Sequence, residues 1–128
     1  MLAVTIIYVS RNYAAHEQQI FGYLLAIAAF WYLLFGVIEA LPLMQLLPQM
    51  IAGAVFLTLA ILGLRGSLML LGIGWLLHCA WDMASLLYTD VSYAPDFTAP
   101  LCLGFDILSG IYLIARARGH YPISAAQA

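Results

Sequence analysis

The sequence predicts an all-α, polytopic membrane protein: a bundle of four transmembrane helices with a short N-terminal interfacial segment, forming a single domain over residues 1–128. Three observations carry the prediction. Apolar residues make up 66% of the chain, where a soluble domain carries roughly half. Charged residues make up 8%, against about a quarter in a typical globule, too few to clothe a soluble particle of 14.0 kDa. The apolar residues also fall into four runs, each long enough as a helix to cross ~30 Å of hydrocarbon. The net charge of −2, with four Arg and no Lys, provides no basic surface for a nucleic-acid backbone and excludes nucleic-acid binding.

Taken in order, the first ten residues are apolar but too short to span, and they read as an interfacial or packed segment, or as the remnant of a longer start. A polar stretch with Arg11, Asn12, His16, Glu17, Gln18 and Gln19 follows, and its charged and His side chains, like the later His120, are expected in solvent or among headgroups. The first span runs over about 20–41, apolar except for Glu39, with Pro42 as a stop. The second covers about 46–64 without a charge and closes at Arg65-Gly66. Ser67 is placed to cap the third, over about 67–88. The segment from Thr89 to Phe97, with Pro95 and two Asp, reads as an aqueous loop before a fourth span over about 98–115.

With four spans, Arg11, Arg65, Arg116 and Arg118 all fall on one side, and the Pro42–Pro48 turn and the Asp90/Asp96 loop fall on the other. The positive-inside rule then places both termini in the cytoplasm and the protein in a cytoplasmic (inner) membrane. Cys79 and Cys102 lie inside apolar runs and read as small hydrophobes instead of a disulfide. The pairs Gly22/Ala26, Gly36/Ala40 and Ala80/Ala84 have the four-residue spacing of small residues that lets helices approach. Membrane lipid is the expected partner, with a homo-oligomer or a larger membrane complex left open.

An ionisable side chain near the centre of a membrane helix costs ~2.5–3.5 kcal/mol on insertion scales, so Glu39, His78, Asp82 and Asp106 call for explanation. At ~1.5 Å per residue, Asp82 sits ~9 Å, Asp106 ~12 Å and His78 ~15 Å from the outer end of its helix. Trp75, His78, Asp82 and Ser85 share one face of the third span; Cys102, Asp106 and Ser109 share a face of the fourth; Tyr32 and Glu39 are seven apart in the first. Four readings follow. His78 hydrogen-bonds a carboxylate and locks helix packing in a structural or accessory protein. His78, Asp82 and Asp106, with Glu39, ligate a divalent metal such as zinc. The same groups donate and accept protons in an enzyme acting on a lipophilic substrate walled by Trp75, Trp81 and Tyr32. Or the carboxylates line a proton- or ion-coupled transport path.

The run Gly72-Ile73-Gly74-Trp75-Leu76-Leu77-His78-Cys79-Ala80-Trp81-Asp82, followed by Ala94-Pro95 and by Cys102 to Asp106, resembles a family of small, functionally uncharacterised bacterial integral membrane proteins. The resemblance covers roughly the second half of the chain. It implies a four-helix membrane fold with His78, Trp81, Asp82, Cys102 and Asp106 at signature positions, and no activity. The family pattern continues with two adjacent His where this chain has Ser85 and Leu86, and has a second Cys where it has Phe105. Those departures remove ligands and imply that a metal is held weakly, is held with the help of Glu39, or is no longer held.

Overall fold

The computed structural model describes residues 1–88 and 90–119, and these form an all-helical bundle with no strand. The helices are α1 (Leu2–Asn12), α2 (Glu17–Ala28), α3 (Trp31–Ile38), α4 (Leu43–Arg65), α5 (Leu68–Tyr88) and α6 (Thr98–Ala117), with a single 3-10 turn at Ala14–His16. Four stretches are long and apolar enough to cross a membrane: Glu17–Ile38, Leu43–Arg65, Leu68–Tyr88 and Thr98–Ala117. The second, third and fourth agree with the sequence reading to within three residues at each end. His120 lies outside the described residues.

The first span departs from the expected uninterrupted helix over 20–41. It begins three residues earlier, at Glu17, and breaks at Ala29 and Phe30, so that α2 and α3 are separate helices. Phe30, φ −110° and ψ 7°, leaves the helical register, and Gly53 of α4 faces the break: a Cβ there would come 2.9 Å from the Phe30 ring and 3.1 Å from the Ala29 carbonyl. The helix also ends before Pro42. Leu41 N–H donates to the Gly36 carbonyl and Ala40 N–H to the Val37 carbonyl, each at 3.0 Å, with Ala40 at φ 53°. This is a Schellman cap with an alanine in the left-handed position that usually takes glycine.

Ser67 acts as the cap it was expected to be, its Oγ accepting from the Leu70 N–H at 3.3 Å. Between α5 and α6, Ser92 N–H donates to Asp90 Oδ1 at 3.0 Å; hydrogen bonding from Ser92 holds the exposed Asp90 carboxyl below the usual carboxylate range.

α5 is central, touching α2, α4 and α6, and its contact with α6 is the most extensive in the bundle. Glycine makes that contact possible. A Cβ on Gly72 would lie 3.0 Å from the Gly110 carbonyl, and one on Gly110 would lie 3.1 Å from the Gly72 carbonyl, so the two backbones approach closely, with Ile114 and Leu76 packed over the glycines. Of the small-residue pairs singled out in the sequence, Gly22 receives Leu64 and Gly36 receives Leu46, whereas Ala80 is exposed. A core of Phe21, Leu25, Ala60, Leu71, Trp75, Tyr112 and Leu113 fills the centre. α1 packs on α6 and α2, burying Ala3 and Ser10. Many large apolar side chains face outward from α2, α4, α5 and α6, as helices in acyl chains require.

Candidate functional site

The α5–α6 crossing brings the predicted residues of the two helices together. His78 lies six residues after Gly72, and Asp106 four before Gly110, so the antiparallel helices are held closest one to two turns from both. His78 Nδ1 is 2.9 Å from Asp106 Oδ2 and 3.7 Å from Asp82 Oδ1. One ligand atom from each of the three residues lies within 4.8 Å of the others. All are withdrawn from solvent: His78 is 3% exposed, Asp82 0% and Asp106 1%.

The imidazole is fixed on every side. The Phe56 ring of α4 packs edge-on at 4.9 Å and Trp75 at 6.3 Å. The backbone of Ala28, at the end of α2, lies beside the ring.

The carboxylates differ. Asp106 shares a hydrogen bond with His78, whereas neither oxygen of Asp82 has a hydrogen-bond partner, though both are buried. Tyr32, 5% exposed, is close enough to interact electrostatically with both, and its hydroxyl is buried without a hydrogen-bond partner. Cys79 and Cys102, both free thiols, are also within electrostatic reach of both carboxylates but do not join the group of three. Ser85 and Ser109 are buried, at 2% and 0% exposure, along the predicted faces.

Two residues named in the sequence reading are elsewhere. Glu39 is the exposed C-cap of α3 and is not in the His/Asp group, because the helix ends in the Schellman turn before the Glu39 side chain is carried inward. Trp81 is only partly buried and turns to α4, donating from Nε1 to Gln49 Oε1 at 3.2 Å. It lines a cavity with Phe56, apart from the one that Trp75 lines with Asp106.

Sequence reasoning missed a second polar centre. Glu17, expected in solvent, is 2% exposed. It accepts from Arg116 Nη2 at 2.8 Å and Nε at 3.1 Å, and from the Tyr112 hydroxyl. Beside it Gln18 Nε2 donates to the Gly63 carbonyl at 2.6 Å. The start of α2 is thereby tied to the ends of α4 and α6. The signal available in the sequence was the spacing of Glu17, Phe21 and Leu25, four apart on one face, with the latter two fully buried.

The chain belongs to a family of unknown function (DUF6010), which matches residues 1–119. No curated protein and no solved structure was found to match it.

Proposed function

Since the family brings no activity with it, we propose that this multi-pass membrane protein binds a divalent metal ion such as zinc through His78, Asp82 and Asp106. The reading rests above all on Asp82, a wholly buried carboxylate without a hydrogen bond beside a second carboxylate. A buried charge needs a partner, and a carboxylate left without one is expensive. A packing network centred on the 2.9 Å bond between His78 and Asp106 brings Asp82 within 3.7 Å of the same ring but gives neither of its oxygens a hydrogen bond.

The spacing supports the same reading. Ligand atoms around a tetrahedral zinc are ~3.4 Å apart, given Zn–N and Zn–O bonds of ~2.0–2.2 Å. The separations of 2.9 and 3.7 Å from Nδ1 bracket that value, so only small side-chain movements would seat an ion. One divalent cation would neutralise both carboxylates. Three protein ligands leave a coordination position free, which is the pattern of sites that bind something further.

A cavity of about 200 Å³ beneath the α5–α6 loop, lined by Tyr32, Asp96 and Thr98, would admit a cation from that side as far as Tyr32, with Asp90 and Asp96 exposed at the loop. We place this loop on the outer face and both termini in the cytoplasm of a bacterial-type inner membrane, on the distribution of arginine. The positions His78, Trp81, Asp82, Cys102 and Asp106 would then carry the family signature.

The test is metal analysis of detergent-purified protein beside Asp82→Asn and His78→Ala. Close to one equivalent of metal in the wild type and a loss in both variants is the expected result. A wild type that stays metal-free after incubation with zinc, manganese and iron(II) defeats the reading.

A further inference from the structure

Two cavities on the α4 side of the bundle meet at Met44 and Pro48, which line both. One, of about 270 Å³, is walled by Gln45, Gln49, Asp90 and Tyr93 at the loop end of the bundle. The other, of about 560 Å³, is an apolar groove along α4, walled by Ile51, Val55, Phe56 and Trp81. Helical spacing in α4 builds the pair. Met44, Pro48, Ile51 and Val55 follow steps of four, three and four, and Gln45, Gln49, Ala52 and Phe56 repeat those steps on the adjoining stripe. Ile51 and Val55 are exposed, so the groove opens on the surface that faces acyl chains. From Met44 to Val55 it descends ~16 Å at the helical rise, about half of a ~30 Å hydrocarbon core. That is the depth of one leaflet.

Gln49 joins the two compartments. Trp81 Nε1 donates to its Oε1 at 3.2 Å. An indole N–H donates only, so this bond fixes which end of the amide is oxygen. Nε2 has no acceptor in the protein and is not sealed from solvent, although Gln49 as a whole is 5% exposed. Its N–H groups are left for the polar cavity that Gln49 lines.

The wall of that cavity has the chemistry of a headgroup site. Gln49 and Tyr93 supply donors for a phosphate oxygen, and Asp90 supplies a carboxylate for a cation. Asp90 is exposed, with Oδ1 accepting from the Ser92 N–H, which favours its ionised form. Burial and the Asp90 charge push the Tyr93 phenol up, so it stays protonated and able to donate. All four arginines stand toward the other end of the bundle: Arg11 near Tyr112, Arg65 at the end of α4, and Arg116 and Arg118 at the end of α6. A headgroup of phosphate alone would therefore meet Asp90 with no arginine to offset it. A headgroup that brings its own ammonium satisfies both sets of groups. Quaternary ammonium is held by cages of aromatic rings, whereas Tyr93 is the single ring in this wall, so an ammonium with N–H groups to give Asp90 fits better.

We infer that the two cavities together bind one glycerophospholipid whose headgroup carries a phosphate and a primary ammonium, with the head against Gln49, Tyr93 and Asp90 and one acyl chain along the α4 groove. The inference is independent of the metal reading, although Phe56 in the groove wall also packs on His78 at 4.9 Å.

The probe is phosphatidylethanolamine dibrominated on one chain, doped at rising mole fraction into phosphatidylglycerol nanodiscs that hold the protein. Brominated phosphatidylglycerol sets the level of random mixing, and brominated phosphatidylcholine is the quaternary comparison. Bromine quenches an indole on contact. The Trp81→Phe protein supplies the background from Trp31 and Trp75, so the difference reports Trp81 in the groove wall. The ethanolamine lipid should be enriched at Trp81 about fivefold over its mole fraction, the upper end of what an exposed ion pair provides, and the choline lipid by about half of that or less. Asp90→Asn keeps an oxygen for the Ser92 N–H and should return the ethanolamine lipid to its bulk mole fraction. Quenching in proportion to mole fraction for all three lipids, unchanged in Asp90→Asn, means ordinary boundary lipid and overturns the inference, as does equal enrichment of the choline lipid. Trp81 that no brominated lipid reaches, in protein that sediments as a dimer, gives the groove to a second copy and overturns it too. Metal analysis of the same samples keeps this result separate from the metal reading.

Discussion

Asp82→Asn separates a metal site from a packing network by the sign of its effect. In metal-free protein Asp82 is a wholly buried carboxylate without a hydrogen bond. Its neutral isostere removes that charge, and relief of about 1–3 kcal/mol is expected. If His78 and Asp82 were instead a structural ion pair, breaking it would destabilise by about 3–5 kcal/mol. Metal then acts in the opposite direction. At free metal a thousand times the dissociation constant, the wild type gains about 4.1 kcal/mol by mass action. Loss of a carboxylate that binds the ion should cost about a hundredfold in affinity, the upper end of what is lost even when only a hydrogen-bond partner of a ligand is removed. The variant then sits at about ten times its own constant and gains about 1.4 kcal/mol. The assay is thermal unfolding in detergent, with chelator and across a zinc titration. The expected outcome is a variant that melts above the wild type in chelator and shows about one third of its metal-induced shift. A variant that melts lower in chelator, with no metal shift in either protein, refutes the reasoning.

Gly72→Ala, whose added methyl meets the Gly110 carbonyl at 3.0 Å and the Ile114 side chain at 2.7 Å, should cost about 1–3 kcal/mol by overpacking and weaken metal binding by moving Asp106 from His78; isothermal titration of the variant checks both parts together with its melting temperature. Gly104→Ala, with nothing within 4 Å, is the matched control and should be neutral or stabilising by up to about 1 kcal/mol. Glu17→Gln leaves Arg116 without its buried carboxylate and should lower stability by about 3–5 kcal/mol in thermal or denaturant unfolding, with metal content unaffected. Ala40→Gly should raise stability by about 1 kcal/mol, because Ala40 has φ 53°, and a melting temperature equal to or below that of the wild type contradicts the Schellman assignment.

The fold was largely legible because its signals are additive over many residues. Twenty apolar positions in a row identify a span whichever one of them is altered, and three of the four spans carry no internal break that the pattern could conceal. The break at Ala29–Phe30 was not legible: nothing in Ala-Ala-Phe-Trp departs from a helix, and Gly53, which packs against it, belongs to another helix. The End of the same span was misjudged because Pro42 is an obvious stop, while a Schellman turn at an alanine has no composition of its own. The site was legible where it depends on helical spacing. His78 and Asp82, four apart, had to share a face, and Asp106 had to lie at a similar depth. Phe56 and the Ala28 backbone were out of reach, since an aromatic ring among apolar residues and a stretch of backbone carry no local mark of what they lie beside. Glu17 was misplaced for a related reason. A charge next to polar residues reads as solvated until its partner, Arg116 at the far end of the chain, is known to be 2.8 Å away.

The two polar centres make different demands on the same helix pair. At one end Glu17, Tyr112 and Arg116 form a closed set in which every charge has a bonded partner, and such a set fixes α6 against α2. Towards the other end, past the Gly72–Gly110 crossing, Asp82 remains without a hydrogen bond and the indoles of Trp31 and Trp75 remain without acceptors. If buried polarity served only to specify packing, both ends would be satisfied, because an orphaned group weakens the network that contains it. The contrast within one chain indicates that the closed set and the glycine crossing hold the helices in register, so that the open set is kept apart at ligand spacing instead of collapsing on itself. On this argument, loosening the Glu17 end should lower stability without abolishing the His78/Asp82/Asp106 group's preference for a cation, whereas displacing the crossing should reduce both. Metal affinity measured for Glu17→Gln and Gly72→Ala under conditions where each remains folded distinguishes a scaffold with a site from a uniform network, which would lose affinity in parallel with stability in both variants.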